Sequence, residues 1–343
     1  MTPGISDGEL GERLAARTLE LIDIPSESRG EARLAAHVGE LLAARDLGDG
    51  CVLAENAGRV LLAGHLDTVP AQGNVPGRRD GERVHGLGAS DMKGALAVMI
   101  ELARDGAPFD CLFFGREELP VAESALTPLL ARERLRYDLV VMMEPTANVV
   151  QAGCLGNVNA TWTFHGRSGH SARPWFADNA IERAAAGIAA LAAQGPQEHR
   201  FEGLTFTEVV SVTRIAGGIA DNVIPDRVEC HVNFRSAPGR TPAGAEARLR
   251  ELCAGHGELE VVSNAPSGPV PQGNPLVAAL RGAAGGALEP KQAWTPVAEF
   301  GQAGLEAVNF GPGDPAQAHK REESIAVAAL AGAYRVLGEL AAA

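Results

Sequence analysis

The segment VLLAGHLD at residues 60–67 combines a short apolar run with a glycine, a histidine and an acid that follow it closely. Continuous apolar runs of this length are typical of strands that are buried on both faces of a parallel sheet. The same pattern returns in CLFFGREE (111–118) and in LVVMMEP (139–145). A later run, AVNF (307–310), is followed by a glycine-rich loop that leads to His319. These runs predict the central strands of one sheet.

Helical patterns lie between these runs, at residues 34–42 and 94–102. The alternation of strand and helix predicts an α/β domain with a mostly parallel twisted sheet flanked by helices. Ligand-binding groups of such sheets gather beyond the carboxyl ends of the strands. The side chains expected at this edge are one histidine and four acids, namely His65, Asp67, Glu117, Glu118 and Glu144.

The middle of the chain has a different pattern from its ends. Residues 157–165 and 208–215 are typical of half-buried strands. Residues 227–235 (RVECHVNFR) alternate apolar and polar side chains more regularly, and a last strand is expected near residues 259–262. These shorter strands with one apolar face indicate a separate, smaller sheet.

Two helices are predicted between these strands. An Ala-rich helix covers about residues 179–193 with Asp178 as the expected N-cap, and a Thr-Pro start predicts a helix over residues 241–253. The resulting order β-α-β-β-α-β is that of a ferredoxin-like α+β unit. The predicted boundaries are residues 1–156 and 266–343 for a discontinuous first domain and residues 157–265 for the inserted one.

Composition and charge exclude several classes of function. The chain has 343 residues with 30 Lys plus Arg and 43 Asp plus Glu, a formal net charge of −13 at pH 7. An acidic chain without a basic block argues against nucleic acid or an anionic membrane as the main partner. Residues 1–14 lack the basic and apolar segments of an export signal, so we expect a cytoplasmic protein.

The cysteines form an odd, scattered set of five without a CxxC pair. This argues against a zinc ribbon and against a disulfide framework. We expect them to be small buried side chains. They are Cys51, Cys111, Cys154, Cys230 and Cys253.

The acids at the predicted sheet edge favour a metal site. On an extended segment His65 and Asp67 point to the same side, so the Asp67 carboxylate is expected to fix the tautomer of a metal-binding imidazole. Four carboxylates crowded together would repel one another, and two divalent cations would balance their charge. Histidine and carboxylate ligands suit zinc, with cobalt or manganese as alternatives. The four acids are Asp91, Glu117, Glu118 and Glu144.

Several motifs together resemble the dizinc aminoacylase and carboxypeptidase family, which includes acetylornithine deacetylase and succinyl-diaminopimelate desuccinylase. They occur in the family's order from about residue 20 to the end of the chain. The resemblance implies a catalytic α/β domain with an inserted lid and dimerisation domain. The motifs are GHLDTVP (64–70), GLGASDMKG (86–94), Glu117-Glu118, MEPT (143–146), GHSARP (169–174), NVIP (222–225) and His319.

The resemblance also implies a ligand set for two metal ions. Asp91 would bridge both ions, and the peptide bond between Asp91 and Met92 would be cis. The remaining ligands would be His65 and Glu144 for one metal, and Glu118 and His319 for the other.

The catalytic roles come from the same resemblance. Glu117 matches the general base, and Asp67 keeps the role of partner of His65 that its spacing predicts. His170 would reach the active site from the lid of a second subunit and stabilise negative charge on the amide oxygen. The expected assembly is therefore a homodimer.

The expected substrate is a small N-acyl amino acid. Residues 151–157, 169–181 and 308–323 resemble the desuccinylase branch, whose members hydrolyse N-succinyl-L,L-diaminopimelate to succinate and L,L-diaminopimelate. By the same analogy, Asn222 and Arg235 would bind a substrate carboxylate, for which a guanidinium group offers two parallel donors.

The chain departs from this branch at WTPVAE (294–299), where relatives usually read W-T-D-V followed by an arginine. Pro296 replaces an acid, and Glu299 reverses a charge near the expected substrate position. The alternative is therefore another N-acyl amino acid amidohydrolase, such as an acetylornithine deacetylase. A non-catalytic metal-binding relative is a more distant alternative, against which the presence of Glu117 argues.

Overall fold

The computed structural model describes residues 6–343. Residues 1–5, part of the stretch considered above for an export signal, lie outside the described residues. The helices are α1 (Asp7–Ile22), α2 (Ala32–Leu42), α3 (Gly94–Arg104), α4 (Leu126–Arg132), α5 (Ala180–Ala192), α6 (Pro242–Leu252), α7 (Pro275–Ala283), α8 (Val297–Gln302) and α9 (Val327–Leu340).

The strands of the first half of the chain are β1 (Arg45–Gly48), β2 (Cys51–Ala54), β3 (Val60–His65), β4 (Arg78–Asp80), β5 (Arg83–His85), β6 (Phe109–Phe114), β7 (Leu139–Met142), β8 (Val150–Ala152) and β9 (Gly156–His165). Those of the second half are β10 (Gly169–His170), β11 (Gln197–Phe201), β12 (Leu204–Gly217), β13 (Val223–Ile224), β14 (Arg227–Ser236), β15 (Glu258–Ala265), β16 (Leu288–Pro290), β17 (Ala307–Asn309) and β18 (Ser324–Ala326).

The chain divides into two compact units. Unit 1 comprises the described residues up to Gly153 together with Pro269–Glu289 and Thr295–Ala343. Unit 2 comprises Cys154–Gly268 and Pro290–Trp294. The predicted insertion at residues 157–265 lies within unit 2, to which the later segment Pro290–Trp294 also belongs.

Unit 1 is built on a mixed sheet with the strand order β1-β2-β6-β3-β7-β17-β8-β16. The central strands β6, β3, β7 and β17 run parallel, whereas β2 pairs antiparallel with β1 and β6, and β8 pairs antiparallel with β17. The side chains of β3, β6 and β7 are buried along their whole length, as expected for strands covered on both faces. The predicted α/β class with a mostly parallel sheet is confirmed.

A close approach of α3 to β3 explains the glycine that precedes His65. A Cβ atom on Gly64 would lie 2.6 Å from Leu96 Cδ2, so a larger side chain would push helix and strand apart. Residues Gly94 to Leu102 of α3 are buried, and α3 also packs against α1 and α9. The end of β3, and with it His65, is therefore held firmly in the core.

Unit 2 carries an antiparallel sheet with the strand order β11-β12-β14-β9-β15. Strands β9 and β14 alternate buried and half-buried or exposed side chains along most of their length. The buried face forms a core with α5 and α6 that includes Trp162, Phe164, Val232, Phe234 and Leu249. The predicted ferredoxin-like unit is present, and β11, whose polar sequence QEHRF gave no strand signal, extends it at one edge.

The N-cap prediction for α5 is wrong by one residue. Asn179 caps the helix, and its side chain accepts a hydrogen bond from the Ile181 amide at 3.0 Å. Asp178 instead pairs with Arg183, whose Nε donates to its carboxylate at 2.8 Å. Both residue types are good caps, and the backbone places Asn179 at the extended position directly before the first helical turn.

The cysteines behave as predicted, since all five are buried side chains. Within residues 6–343, the structure contains no helix with the length and apolarity needed to cross a bilayer.

Candidate active site

The carboxyl ends of three adjacent parallel strands bring acids and a histidine together in unit 1. Strand β3 ends at His65, and its neighbours β6 and β7 are followed by the segments 115–118 and 143–144, respectively. Because the strands run in the same direction, Glu117, Glu118 and Glu144 emerge at the edge where His65 lies. The fold thus explains why acids that are far apart in sequence become neighbours.

Asp91 reaches the same place from the tight turn Ala89–Lys93 that precedes α3. The peptide bond between Asp91 and Met92 is cis, as predicted. The turn is held by Glu323, whose carboxylate accepts hydrogen bonds from the amides of Gly88 (2.9 Å), Ser90 (2.8 Å) and Asp91 (2.9 Å). Sequence reasoning missed Glu323, since the pair Glu322-Glu323 after His319 does not follow a buried strand and resembles an ordinary solvated acidic stretch.

Two groups of ligand atoms share Asp91. His65 Nε2 lies 3.2 Å from Asp91 Oδ1 and 4.0 Å from Glu144 Oε1. His319 Nε2 lies 3.6 Å from Asp91 Oδ2 and 3.0 Å from Glu118 Oε1. Within each group the candidate ligand atoms lie within 4.8 Å of one another. The two carboxylate oxygens of Asp91 therefore face two different histidines, as the bridging role would require.

Glu117 lies beside this set, with a candidate ligand atom within 4.8 Å of those of His65 and Glu118. We refer to the whole set as the acid–histidine cluster, which consists of His65, Asp91, Glu117, Glu118, Glu144 and His319. The structure brings all six predicted residues together in unit 1.

Mutual repulsion and burial perturb the titration of the cluster. Removal from water, together with the charges of Glu144, Glu118 and Asp91, raises the pKa of Glu117 well above its ordinary value, while His65 opposes this rise. A hydrogen bond to Glu118 and the charges of Glu118 and Asp91 raise the pKa of His319 to about 9, although desolvation opposes this. For His65, burial disfavours the charged form, but Asp91, Glu117 and Asp67 raise its pKa well above the ordinary value. Such crowding is what bound cations would relieve.

Asp67 acts differently from the sequence prediction. His65 Nδ1 lies 2.9 Å from the backbone carbonyl oxygen of Asp67, and 3.7 Å from the carboxylate oxygen Oδ1. Because a carbonyl can only accept, Nδ1 donates to it, and Nε2, 3.2 Å from Asp91 Oδ1, is the nitrogen left to bind a metal once it is deprotonated. The carbonyl rather than the carboxylate thus fixes the tautomer. The carboxylate is engaged elsewhere, accepting hydrogen bonds from the amides of Glu117 (2.9 Å) and Glu118 (3.1 Å).

In unit 2, His170 and Asn222 belong to one loop cluster. His170 lies on β10, which pairs with β13, and the amide of Ser171 donates to the Asn222 carbonyl at 3.0 Å. His170 is exposed, and its Nδ1 accepts a hydrogen bond from the Ala172 amide at 3.1 Å. In the neutral ring the proton is therefore on Nε2, which is left to act as a donor.

Arg235 lies at the other end of the same sheet. It pairs with Asn157 near the start of β9, whereas the loop with His170 follows the end of β9, where His165 pairs with Arg227. The eight-residue separation along β14 corresponds to roughly 26 Å. Arg235 Nε donates to Asn233 Oδ1 at 2.9 Å, and burial lowers the pKa of Arg235. Within one chain, the structure does not bring Arg235 together with His170 and Asn222.

Glu299, the reversed charge noted in the sequence, is buried in unit 1. Its Oε1 accepts hydrogen bonds from Ser124 Oγ at 2.8 Å and from Thr127 Oγ1. Burial raises the pKa of Glu299, and these hydroxyl donors oppose the rise. The side chain thus ties α8 to the start of α4, a structural use for an acid at this position.

Comparisons with known proteins agree with this geometry. The sequence profile of the family described as Peptidase family M20/M25/M40 matches residues 61–343. A Mycobacterium tuberculosis protein provisionally named succinyl-diaminopimelate desuccinylase DapE is 39% identical over 337 residues, covering 93% of this chain and 95% of the relative. A succinyl-diaminopimelate desuccinylase of Corynebacterium glutamicum is 34% identical over 279 residues, covering 76% of this chain and 75% of the relative.

A solved structure shares the fold at low sequence identity. A Bacillus subtilis protein, described as a dinuclear metal binding peptidase from the M20 family, matches with a TM-score of 0.68 at 19% identity. The match covers 97% of this chain and 98% of the Bacillus protein. The family profile and the relatives both match most of the chain. These matches to hydrolases, together with the presence of Glu117 in the cluster, disfavour the alternative of a non-catalytic relative. The protein is a metal-dependent hydrolase of amide bonds, and it belongs to peptidase family M20/M25/M40.

Proposed function

We propose that this protein hydrolyses N-succinyl-L,L-diaminopimelate to succinate and L,L-diaminopimelate at a two-metal site. The observation that carries the two-metal site is the position of Asp91, whose Oδ1 faces His65 and whose Oδ2 faces His319. A carboxylate placed between two histidines is suited to bridge two cations. The substrate is proposed from the names of relatives that are 39% and 34% identical to this chain.

The ligand atoms of the acid–histidine cluster fit zinc, with cobalt or manganese as alternatives. They are imidazole nitrogens and carboxylate oxygens, and the fixed tautomer of His65 presents Nε2 as a ligand. Asp91 and Glu144 would hold one ion with His65, and Asp91 and Glu118 the other with His319. Two cations bound here would polarise the amide carbonyl and lower the pKa of the attacking water.

Glu117 is our candidate for the general base. Its amide is fixed by Asp67, and its carboxylate lies at the edge of the acid–histidine cluster. It would take a proton from the water that attacks the carbonyl carbon, and would pass this proton to the leaving amine nitrogen as the C–N bond breaks. The net reaction consumes one water and yields a carboxylate and a protonated amine.

We propose that His170 is supplied by a second copy of the chain. A ring that donates from Nε2 and is exposed in the loop region after β9 is available to a neighbouring molecule. Aimed at the amide oxygen, such a donor would stabilise the negative charge that develops there.

Exposed apolar side chains on unit 2 support a homodimer. Trp175 and Phe176 follow the His170 loop with 70% and 68% of their surfaces exposed, and Ile219 after β12 is 88% exposed. Large aromatic and aliphatic side chains of this kind are typical of protein–protein contacts. We therefore propose that unit 2 forms the dimer contact.

Arg235 and Asn222 are our candidates for binding the carboxylates of the substrate. The Arg235 guanidinium is half-buried, and a fork of parallel N–H donors matches a carboxylate. Since Asn222 shares a loop cluster with His170, whereas Arg235 lies at the opposite end of β14, we propose that Asn222 acts with His170 from the partner subunit and that Arg235 contacts the substrate separately from them.

The decisive experiment is a parallel assay of N-succinyl-L,L-diaminopimelate and N-acetylornithine with purified protein and added zinc. We expect turnover of the succinyl substrate to exceed that of the acetyl substrate. Preference for N-acetylornithine would replace the substrate but leave the two-metal site in place. Turnover of neither compound at high enzyme concentration would contradict both substrates. The cytoplasmic location expected from the sequence stays a prediction, which cell fractionation would test.

A further inference from the structure

The loop that carries Glu117 and Glu118 is attached to buried carboxylates through three consecutive backbone amides. The Arg116 amide donates to Glu31 Oε1 at 3.0 Å. The next two amides, of Glu117 and Glu118, donate to the two oxygens of Asp67 at 2.9 and 3.1 Å. Loop amides removed from water need such partners, and a carboxylate that accepts several of them fixes the path of the backbone.

Glu31 reaches this loop from the N-terminus of α2. The residue is 6% exposed, and within the described residues its side chain makes no capping bond to its own helix. Its Oε1 also accepts a hydrogen bond from the Arg29 amide at 2.9 Å. A Cβ atom on Gly115 would lie 3.1 Å from the Glu31 carboxyl group, so the loop packs directly against it.

Backbone conformation shows that this loop has to be held. Arg116 has φ 59°, a left-handed conformation that side-chain-bearing residues rarely adopt. Such a residue keeps this conformation only where its surroundings enforce it. The Glu31 carboxylate holds the amide, while the Glu123 carbonyl accepts from Arg116 Nε at 2.7 Å and the Asp49 carboxylate accepts from Arg116 Nη1 at 2.7 Å.

Ser28, three residues before Glu31, makes a second contact with the groups that hold this loop. Ser28 Oγ donates to Asp67 Oδ2 at 2.8 Å, and the Ser28 amide donates to the Thr68 carbonyl at 3.1 Å. Residues 28–31 therefore act on the loop in two ways. Glu31 binds the Arg116 amide directly, and Ser28 donates to Asp67, the carboxylate that binds the next two amides.

We propose that Glu31, supported by Ser28, is a positioning residue that sets the places of Glu117 and Glu118. The proposal rests on the proposed two-metal function, in which Glu118 binds a metal and Glu117 is the base. Loss of the Glu31 acceptor frees the Arg116 amide, and the next two residues move with it. We expect the affinity for the metal ion at Glu118 and His319 to fall, and the affinity for the ion at His65 and Glu144 to stay unchanged.

The test compares Glu31→Met, which keeps the volume but removes the acceptor, with Glu31→Gln, which keeps an acceptor oxygen. The matched control is Glu123→Met, which removes an exposed acid of the same loop whose carboxylate pairs with Arg29 at the surface but accepts no amide of residues 116–118. Hydrogen exchange is measured on the metal-free proteins for peptides that cover residues 112–122. We expect exchange at residues 116–118 to rise at least ~10-fold in Glu31→Met, and to stay near wild type in Glu31→Gln and Glu123→Met.

Zinc titration and kinetics give the second and third readouts. Loss of groups that orient metal ligands typically costs about 10–100-fold in metal affinity or activity. In Glu31→Met we expect the affinity for one of two zinc ions to fall by this factor. We expect kcat to fall by a similar factor, while KM stays within about threefold of wild type. Glu31→Gln should recover most of both losses.

Wild-type exchange at residues 116–118 and two wild-type zinc affinities in folded Glu31→Met would overturn the proposal. So would exchange that rises equally throughout unit 1, because Glu31 would then be a general structural residue. If Glu31→Met does not fold, Ser28→Ala decides in its place, and unchanged exchange at residues 117–118 would overturn the proposal. If wild type hydrolyses neither test substrate, the proposed function fails, while the exchange and zinc measurements still decide the role of Glu31.

Discussion

The acid–histidine cluster of unit 1 and the predicted substrate residues of unit 2 differ in how completely one chain assembles them. In the cluster, strand ends and a held turn bring ligand atoms within 4.8 Å of one another. In unit 2, His170 and Asn222 lie in one loop cluster, but Arg235 lies at the opposite end of β14. One chain therefore assembles the acid–histidine cluster by itself. The residues predicted to bind substrate are not brought together in one chain, and we propose that a second subunit supplies some of them.

Metal removal should have the largest effect, and it tests whether the acid–histidine cluster of unit 1 binds metal ions. We expect a chelator to abolish hydrolysis, since the carbonyl and the attacking water both lose their activating cation. Added zinc or cobalt should restore activity, with magnesium as the control metal that should not. The measurement is hydrolysis rate against added metal, together with elemental analysis. Full activity in protein shown to be free of transition metal would contradict the two-metal site.

The substitution Glu117→Gln should have the next largest effect. We expect kcat to fall ~10²–10⁴-fold, the range for a lost general base, while two metals stay bound because Glu117 is not in our ligand set. Glu118→Gln is the informative partner variant, since it should lose metal affinity as well. Near wild-type turnover of Glu117→Gln would contradict its role as the base, and loss of a metal ion from this variant would make Glu117 a ligand instead.

The substitution His170→Ala tests whether unit 2 acts across a dimer. We expect a fall in kcat of about 10²–10³-fold, the cost of one donor to the developing oxyanion, with unchanged metal content. Mixed with Glu117→Gln under conditions that exchange subunits, the inactive variants should regain activity, because one site per heterodimer carries both intact residues. His165→Ala, an exposed histidine on β9, serves as the control and should stay active.

A heterodimer verified by mass measurement that shows no recovery would contradict action of His170 across the interface. A fully active monomer would contradict the composite site altogether, and the difference between the two units would then need another explanation.

The sequence could predict the residues that follow buried strands, but not the carboxylates that bind backbone amides. Buried strands such as β3 and β6 are visible as apolar runs, so the acids that follow them could be placed at one edge. Glu323 and Glu31 could not be found, because the carboxylate of each binds backbone amides of a segment distant in sequence, a contact that no local pattern reveals. The carboxylate of Asp67 was expected at His65 for a related reason, since side-chain spacing on a strand does not reveal which amides approach from the next loop.

Proton release on metal binding is the smallest effect that we predict, and it probes the acid–histidine cluster alone. The hydrogen bond to Glu118 raises the pKa of His319 to about 9 in the metal-free chain. At pH 7 the imidazole is therefore protonated, and it must lose this proton to bind a metal. We expect release of at least one proton per chain, measured by calorimetry in buffers of different ionisation enthalpy. Below pH 9 the affinity for that ion should rise about tenfold per pH unit, because each binding event displaces one proton. Glu118→Gln removes the charge that raises the pKa and should shift proton release to lower pH. Zinc affinity that is unchanged between pH 6 and pH 8 would contradict the pairing of His319 with Glu118, and with it the second metal position.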